Sequence, residues 1–136
     1  MAEMKKLTPV LVVEEIEPCL GFWMERLGFA KTVEVPEGNK LGFVILVKDK
    51  VEVMYQTYAS VEKDLNSPVK RREPATNLYI EVKGLDEIIQ RLAGANIVVP
   101  ERKTFYGARE IGVAEPGGNL VVFAEFEKQE PPMNAD

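Results

Sequence analysis

The chain has 136 residues, a formal net charge of −5, 46% hydrophobic and 29% charged residues. That is the make-up of an ordinary globule, long enough for one domain or for two small modules sharing a core. An acidic surface repels phosphate backbones, so nucleic acid is not an expected partner. No apolar run approaches the roughly 18 residues of a membrane span. MAEMKKLTPV at the start lacks the apolar stretch of a secretion signal.

Histidine is absent and Cys19 is the only cysteine. Imidazole bases, imidazole metal ligands and Ser-His or Cys-His catalysis are thereby excluded, as is an intrachain disulfide. The simplest compartment is a reducing cytoplasm.

In chain order, Thr8 to Val13 reads as a strand, rich in β-branched residues. Leu20, Trp23, Met24 and Leu27 then recur at the spacing of one helix face, with Pro18 in the first turn and Gly28 as the stop. Strands follow at Ala30 to Val35, Leu41 to Val47 and Val51 to Gln56, the last two joined at Asp49-Lys50. Residues 57 to 75 form a link, in which Ser60 to Leu65 suits a helical turn and Lys70-Arg71-Arg72 a solvated basic loop.

The order then repeats. Asn77 to Val82 is a strand, and Leu85, Ile88, Ile89 and Leu92 mark a helix stopped by Gly94. Ile97 to Pro100, Arg109 to Ala114 and Leu120 to Glu125 are strands. Glu115-Pro116-Gly117-Gly118 between the last two suits a type II turn. Residues 128 to 136 suit a frayed tail. The offset from Thr8 to Asn77 matches that from Glu52 to Val122 to within one residue.

The fold expected is therefore α+β, with two tandem βαβββ modules forming a curved mixed sheet around a cleft. Module one covers 6–57, the linker 58–75, module two 76–127 and the tail 128–136.

PVLVVEEIEPCLGFWMERLGF (Pro9 to Phe29), LYIEVKGLDEIIQRL (Leu78 to Leu92) and FYGAREI followed by EPGGNLVVFAE resemble the vicinal oxygen chelate superfamily of glyoxalases, bleomycin resistance proteins and dioxygenases. Within it, the likeness is to the bleomycin-resistance branch. The family's metal enzymes draw ligands from the first and last strand of each module. The resemblance places those positions on Thr8, Glu52, Asn77 and Val122, with Met54 as the alternative to Glu52. A hydroxyl, an amide, an alkyl group and one carboxylate make a poor shell for a transition metal. No metal and no other cofactor are expected, and no catalytic residue is assigned.

Alternation would put Val10, Val12, Met54, Gln56, Tyr79, Leu120 and Ala124 on the same inner faces as those four positions. Phe105 and Tyr106 stand in the loop where the resemblance implies an aromatic that stacks on a bound drug. Arg109 and Glu110 pair with each other or with a partner chain. Trp23 and Cys19 read as core.

The resemblance implies metal-independent binding and sequestration of a small aromatic or cationic molecule, as in antibiotic resistance. It also implies a homodimer with clefts formed between chains, Pro9 serving as a hinge of the first strand. The ligand-binding set is Thr8, Glu52, Met54, Asn77, Tyr79, Phe105, Tyr106 and Val122. The alternative is a metal-dependent lyase, isomerase or dioxygenase that uses Glu52.

Overall fold

A computed structural model describes residues 2–71 and 76–127. Arg72 and the expected tail lie outside the described residues. The chain is α+β and divides into two compact units. Unit one is drawn from Met1–Thr76 together with Glu115–Gly118, and unit two from Asn77–Ala114 and Asn119–Asp136.

Unit one holds β1 (Val10–Val13), α1 (Glu17–Leu20), β2 (Ala30–Glu37), β3 (Lys40–Lys48), β4 (Val51–Thr57) and α2 (Tyr58–Leu65). Its sheet runs β1-β4-β3-β2, with β1 parallel to β4 and the other pairs antiparallel. Unit two holds β5 (Asn77–Glu81), α3 (Leu85–Arg91), β6 (Asn96–Lys103), β7 (Ala108–Ala114) and β8 (Leu120–Phe126). Its order, β5-β8-β7-β6, repeats the same pattern of one parallel and two antiparallel pairs.

The first helix departs from the expected form. Its α-helical part ends at Leu20, and Gly21–Arg26 continues as a wider π-helix. The wider turn brings Cys19, Trp23 and Leu27 into the core with Phe22, and leaves Leu20 and Met24 only half-buried. Trp23 packs edge-on between Phe22 and Phe29, and its Nε1 donates to the Tyr55 hydroxyl at 2.8 Å. Gly28 and Gly94 do terminate their helices, each with a positive φ. A seven-residue helix such as α3 is marginal by itself. Both oxygens of Glu125 accept its leading N–H groups, from Gly84 at 3.0 Å and Leu85 at 3.1 Å.

The Glu115–Gly118 turn also differs from expectation. Gly118 N–H bonds the Glu115 carbonyl at 2.8 Å, but the positive φ falls on Gly118 and not on Gly117. A type II turn needs it on the third residue, so this turn is closer to type I, which favours glycine at the fourth. Gly117 is required for space instead, because a Cβ there would stand 2.9 Å from Val13. The Tyr55 hydroxyl donates to the buried Glu115 carboxylate of the same turn.

In each unit the sheet buries one face and opens the other, as alternation requires. Leu11, Val44, Val53 and Tyr55 are buried in unit one, whereas Val10, Val12, Ile45 and Met54 are not. Val113, Val121 and Phe123 are buried in unit two, and Asn77, Tyr79 and Val122 stand on the more open side.

At Gly112 on that open side, a Cβ would lie 2.9 Å from Val99 Cβ and 3.4 Å from Val122. Gly112→Ala is expected to cost about 1–3 kcal/mol by overpacking, read as a lower urea midpoint. An unchanged midpoint would show that β6 is free to move away from β7.

Candidate functional site

The open face of unit two is organised around Glu110. On β7 it pairs with Ala124 on one side and Arg102 on the other, and Gly112 two residues on pairs with Val122, which itself pairs with Tyr79. Glu110 therefore shares a face with Tyr79, Val122 and Ala124. Its side chain is 1% exposed. Oε2 accepts from the hydroxyls of Tyr79 and Tyr106, the latter at 2.5 Å. Oε1 accepts from Arg102, at 3.2 Å from Nε and 3.0 Å from Nη2.

Burial opposes the charge on Glu110, but the hydrogen bonds from Tyr106, Tyr79 and Arg102 outweigh it, and its carboxyl titrates below the usual carboxylate range. Burial and the adjoining Glu110 carboxylate push the Tyr79 phenol above its usual value, so it remains a donor. Around this centre the aromatics are open to solvent: Tyr79 is 52% exposed, Tyr106 44% and Phe105 fully. Phe105 meets Tyr106 edge-on at 5.1 Å, and Phe126 lies 6.4 Å from Tyr106.

Arg109 and Glu110 do not pair with each other, which removes one of the two arrangements that the sequence leaves open. Neighbouring residues of a strand point to opposite faces. Arg109 instead bonds Asp86 at 2.8 Å and Glu101 at 2.6 Å. Alternation counted across β8 to β7 is the signal that would have put Glu110 beside Tyr79; adjacency in sequence concealed it.

In unit one, Thr8 and Glu52 come together, with Thr8 Oγ1 donating to Glu52 Oε1 at 2.9 Å. The same oxygen is 2.8 Å from Lys6 Nζ. Lys6 first and then Thr8 hold the Glu52 carboxyl below its usual range. Met54 lies two residues along β4, opposite Val10. Asn77 and Val122 are not opposite one another: Asn77 pairs with Leu120, and Val122 with Tyr79. Arg71 belongs to a structural cluster, bonding Glu14 at 2.7 Å and Glu62 at 3.3 Å and lying 4.3 Å over the Tyr58 ring. Cys19 is sealed in the core, and burial followed by the Glu115 charge pushes its thiol up to about 12, far from a nucleophile's range.

No family model matches the chain. A bleomycin resistance protein of Geobacillus stearothermophilus is 27% identical over 127 residues, 85% of this chain and 92% of that protein. Among solved structures, a glyoxalase/bleomycin resistance protein/dioxygenase from Nocardioides aligns with a TM-score of 0.71 at 16% identity, over 100% of this chain and 93% of that one. The chain is thus similar in sequence to bleomycin resistance proteins and shares the fold of the glyoxalase/bleomycin resistance protein/dioxygenase structure. A lactoylglutathione lyase from Agrobacterium tumefaciens shares the fold as well, with a TM-score of 0.71 at 14% identity over 92% of this chain and 96% of that one.

The four positions expected to correspond to metal ligands, Thr8, Glu52, Asn77 and Val122, do not make a shell that fits a transition metal. Glu52 is already engaged by an ammonium and a hydroxyl. Among the described residues no group of three or more His, Cys, Asp and Glu side chains is placed to hold an ion. Also among the described residues, no helix is long and apolar enough to cross a membrane.

Because the folded-state value of Glu110 lies below its unfolded value near 4.5, its stabilisation is complete above that pH. It is lost as the pH falls through the folded value. Glu110→Gln is expected to lower stability by about 1–3 kcal/mol at pH 7 and to flatten this acid limb. An acid limb of unchanged slope in the variant would place the responsible carboxylate elsewhere.

Proposed function

We propose that the chain binds a small aromatic or cationic organic molecule without a metal and without turning it over, in the manner of the bleomycin resistance proteins it resembles. The observation that carries this reading is the open face of unit two, where Tyr79, Tyr106 and Phe105 stand exposed around one buried carboxylate. Aromatic faces recognise flat rings by stacking and cations by their quadrupole, and a carboxylate beneath them adds charge complementarity.

The poor donor set supports the metal-independent form of the reading, as does the engagement of Glu52 by Lys6. The remaining expected residues, Thr8, Glu52, Met54, Asn77 and Val122, belong to the same proposal as further wall positions. So does the homodimer with sites formed between chains. Pro9 suits it, since β1 is an edge strand and the Pro9 carbonyl already accepts the Met54 N–H at 3.0 Å. Sedimentation at micromolar concentration tests that part.

Calorimetric titration of chelator-treated protein with bleomycin-type glycopeptides and smaller aryl cations is expected to show saturable binding. Phe105→Ala should weaken it roughly tenfold, at the upper end of what one stacked ring supplies. Its melting temperature should not change, because Phe105 is fully exposed. Absence of heat at high micromolar ligand removes the drug-binding reading. Stoichiometric transition metal in protein purified without chelator favours the enzyme alternative.

A further inference from the structure

The two oxygens of Glu110 are held in different ways. Oε2 is held by two phenols, both on the open face with it, and Oε1, among the described residues, by the guanidinium of Arg102. The carboxylate is 1% exposed and the Arg102 side chain 57%. One partner of the ion pair is thus sealed and the other stands in solvent. Arg102 also follows an irregular stretch of β6, where the register shifts between Val99 and Arg102. An exposed guanidinium that leaves its carboxylate is rehydrated at once, so its release costs little by comparison with a buried partner. The phenols would still fix the carboxylate while Oε1 waits for another cation.

We propose that Arg102 is an internal stand-in for the ligand: its guanidinium holds Glu110 in the free protein and yields to a planar organic cation, an aryl guanidinium or aryl amidinium. This deepens the binding function proposed above and rests on it. Two nitrogens of Arg102 converge on one oxygen, an arrangement that a planar fork reproduces and a compact ammonium does not. The aryl body of such a ligand meets Tyr106 and Phe105, whose rings stand edge to face at 5.1 Å beside the same carboxylate. The exchange leaves the charge of the site unchanged, because one cation leaves as the other arrives. In the free protein Arg102 also spares Glu110 the cost of standing buried and unpaired.

The test is an NMR titration with phenylguanidinium and its neutral isostere phenylurea. It uses wild type, Arg102→Ala, Arg102→Lys and the double variant Arg102→Ala/Glu110→Gln, each first checked for folding by thermal melt. Removal of the competing guanidinium should let Arg102→Ala bind phenylguanidinium about tenfold tighter than wild type, with phenylurea unchanged. The double variant should lose that gain, and Arg102→Lys, which folds with its charge kept, should show a smaller one. Equal or weaker cation binding in Arg102→Ala and Arg102→Lys, or a gain that persists without the Glu110 carboxylate, overturns the proposal. Binding of both probes with no gain for the cation would leave the aromatic-binding function standing and remove only the role of Arg102. Binding of neither probe to any variant overturns both.

Discussion

A carboxylate taken out of water must be answered on both oxygens, and the open face of unit two is arranged to do this for Glu110. Tyr79 from β5, Tyr106 from the loop before β7 and Arg102 from β6 all reach it. Tyr79 is 31 residues from Glu110 in sequence while Arg102 and Tyr106 come from the neighbouring β6 and its loop, so the charge ties β5 to the β6–β7 hairpin. It also decides what the face presents. Phenols that would otherwise turn their hydroxyls to solvent are pinned by them, and their rings stand exposed. The aromatic character of the surface is in this sense a consequence of the buried charge.

Unit one solves a different problem with a related device. Tyr55 lies in the core, where an unanswered hydroxyl is costly. It accepts from Trp23 and donates to Glu115, whose turn belongs to the same unit. Its open sheet face, with Val10, Val12, Ile45 and Met54, is apolar except at Gln56, which bonds Ser60 and Asp64, and where Lys6 and Thr8 meet Glu52. Glu52, the one carboxylate among the four positions expected from the resemblance, is therefore engaged in local pairing.

Most of the architecture was legible in the sequence because it follows from local rules. Alternating β-branched strands, helix stops at Gly28 and Gly94, and the repeat of one βαβββ order each depend on near neighbours in the chain. The π-helical Gly21–Arg26 was not legible, since apolar residues at 19, 22, 23 and 27 also fit an α-helix with a shifted face. Pro116-Gly117 suits a type II turn by composition, whereas crowding by Val13 is what explains Gly117. For the site, Tyr79 and Tyr106 were found from strand face and loop position. Glu110 and Arg102 were missed because their relation is set by pairing between strands. The repeat offset relates Asn77 to Thr8 and Val122 to Glu52, and it says nothing of the β5–β8 register, in which Asn77 stands opposite Leu120 and Val122 opposite Tyr79.

The proposed ligand meets the Glu110 face of unit two with no metal present. The most direct test of this proposal is an amide-resolved NMR titration of chelator-treated protein with a panel of aromatic cations that includes a bleomycin-type glycopeptide. Saturable shifts centred on Tyr79, Phe105, Tyr106, Glu110 and Gly112 are expected. Shifts that begin only when a divalent transition metal is added, or that are confined to Thr8 and Glu52, would contradict the proposal.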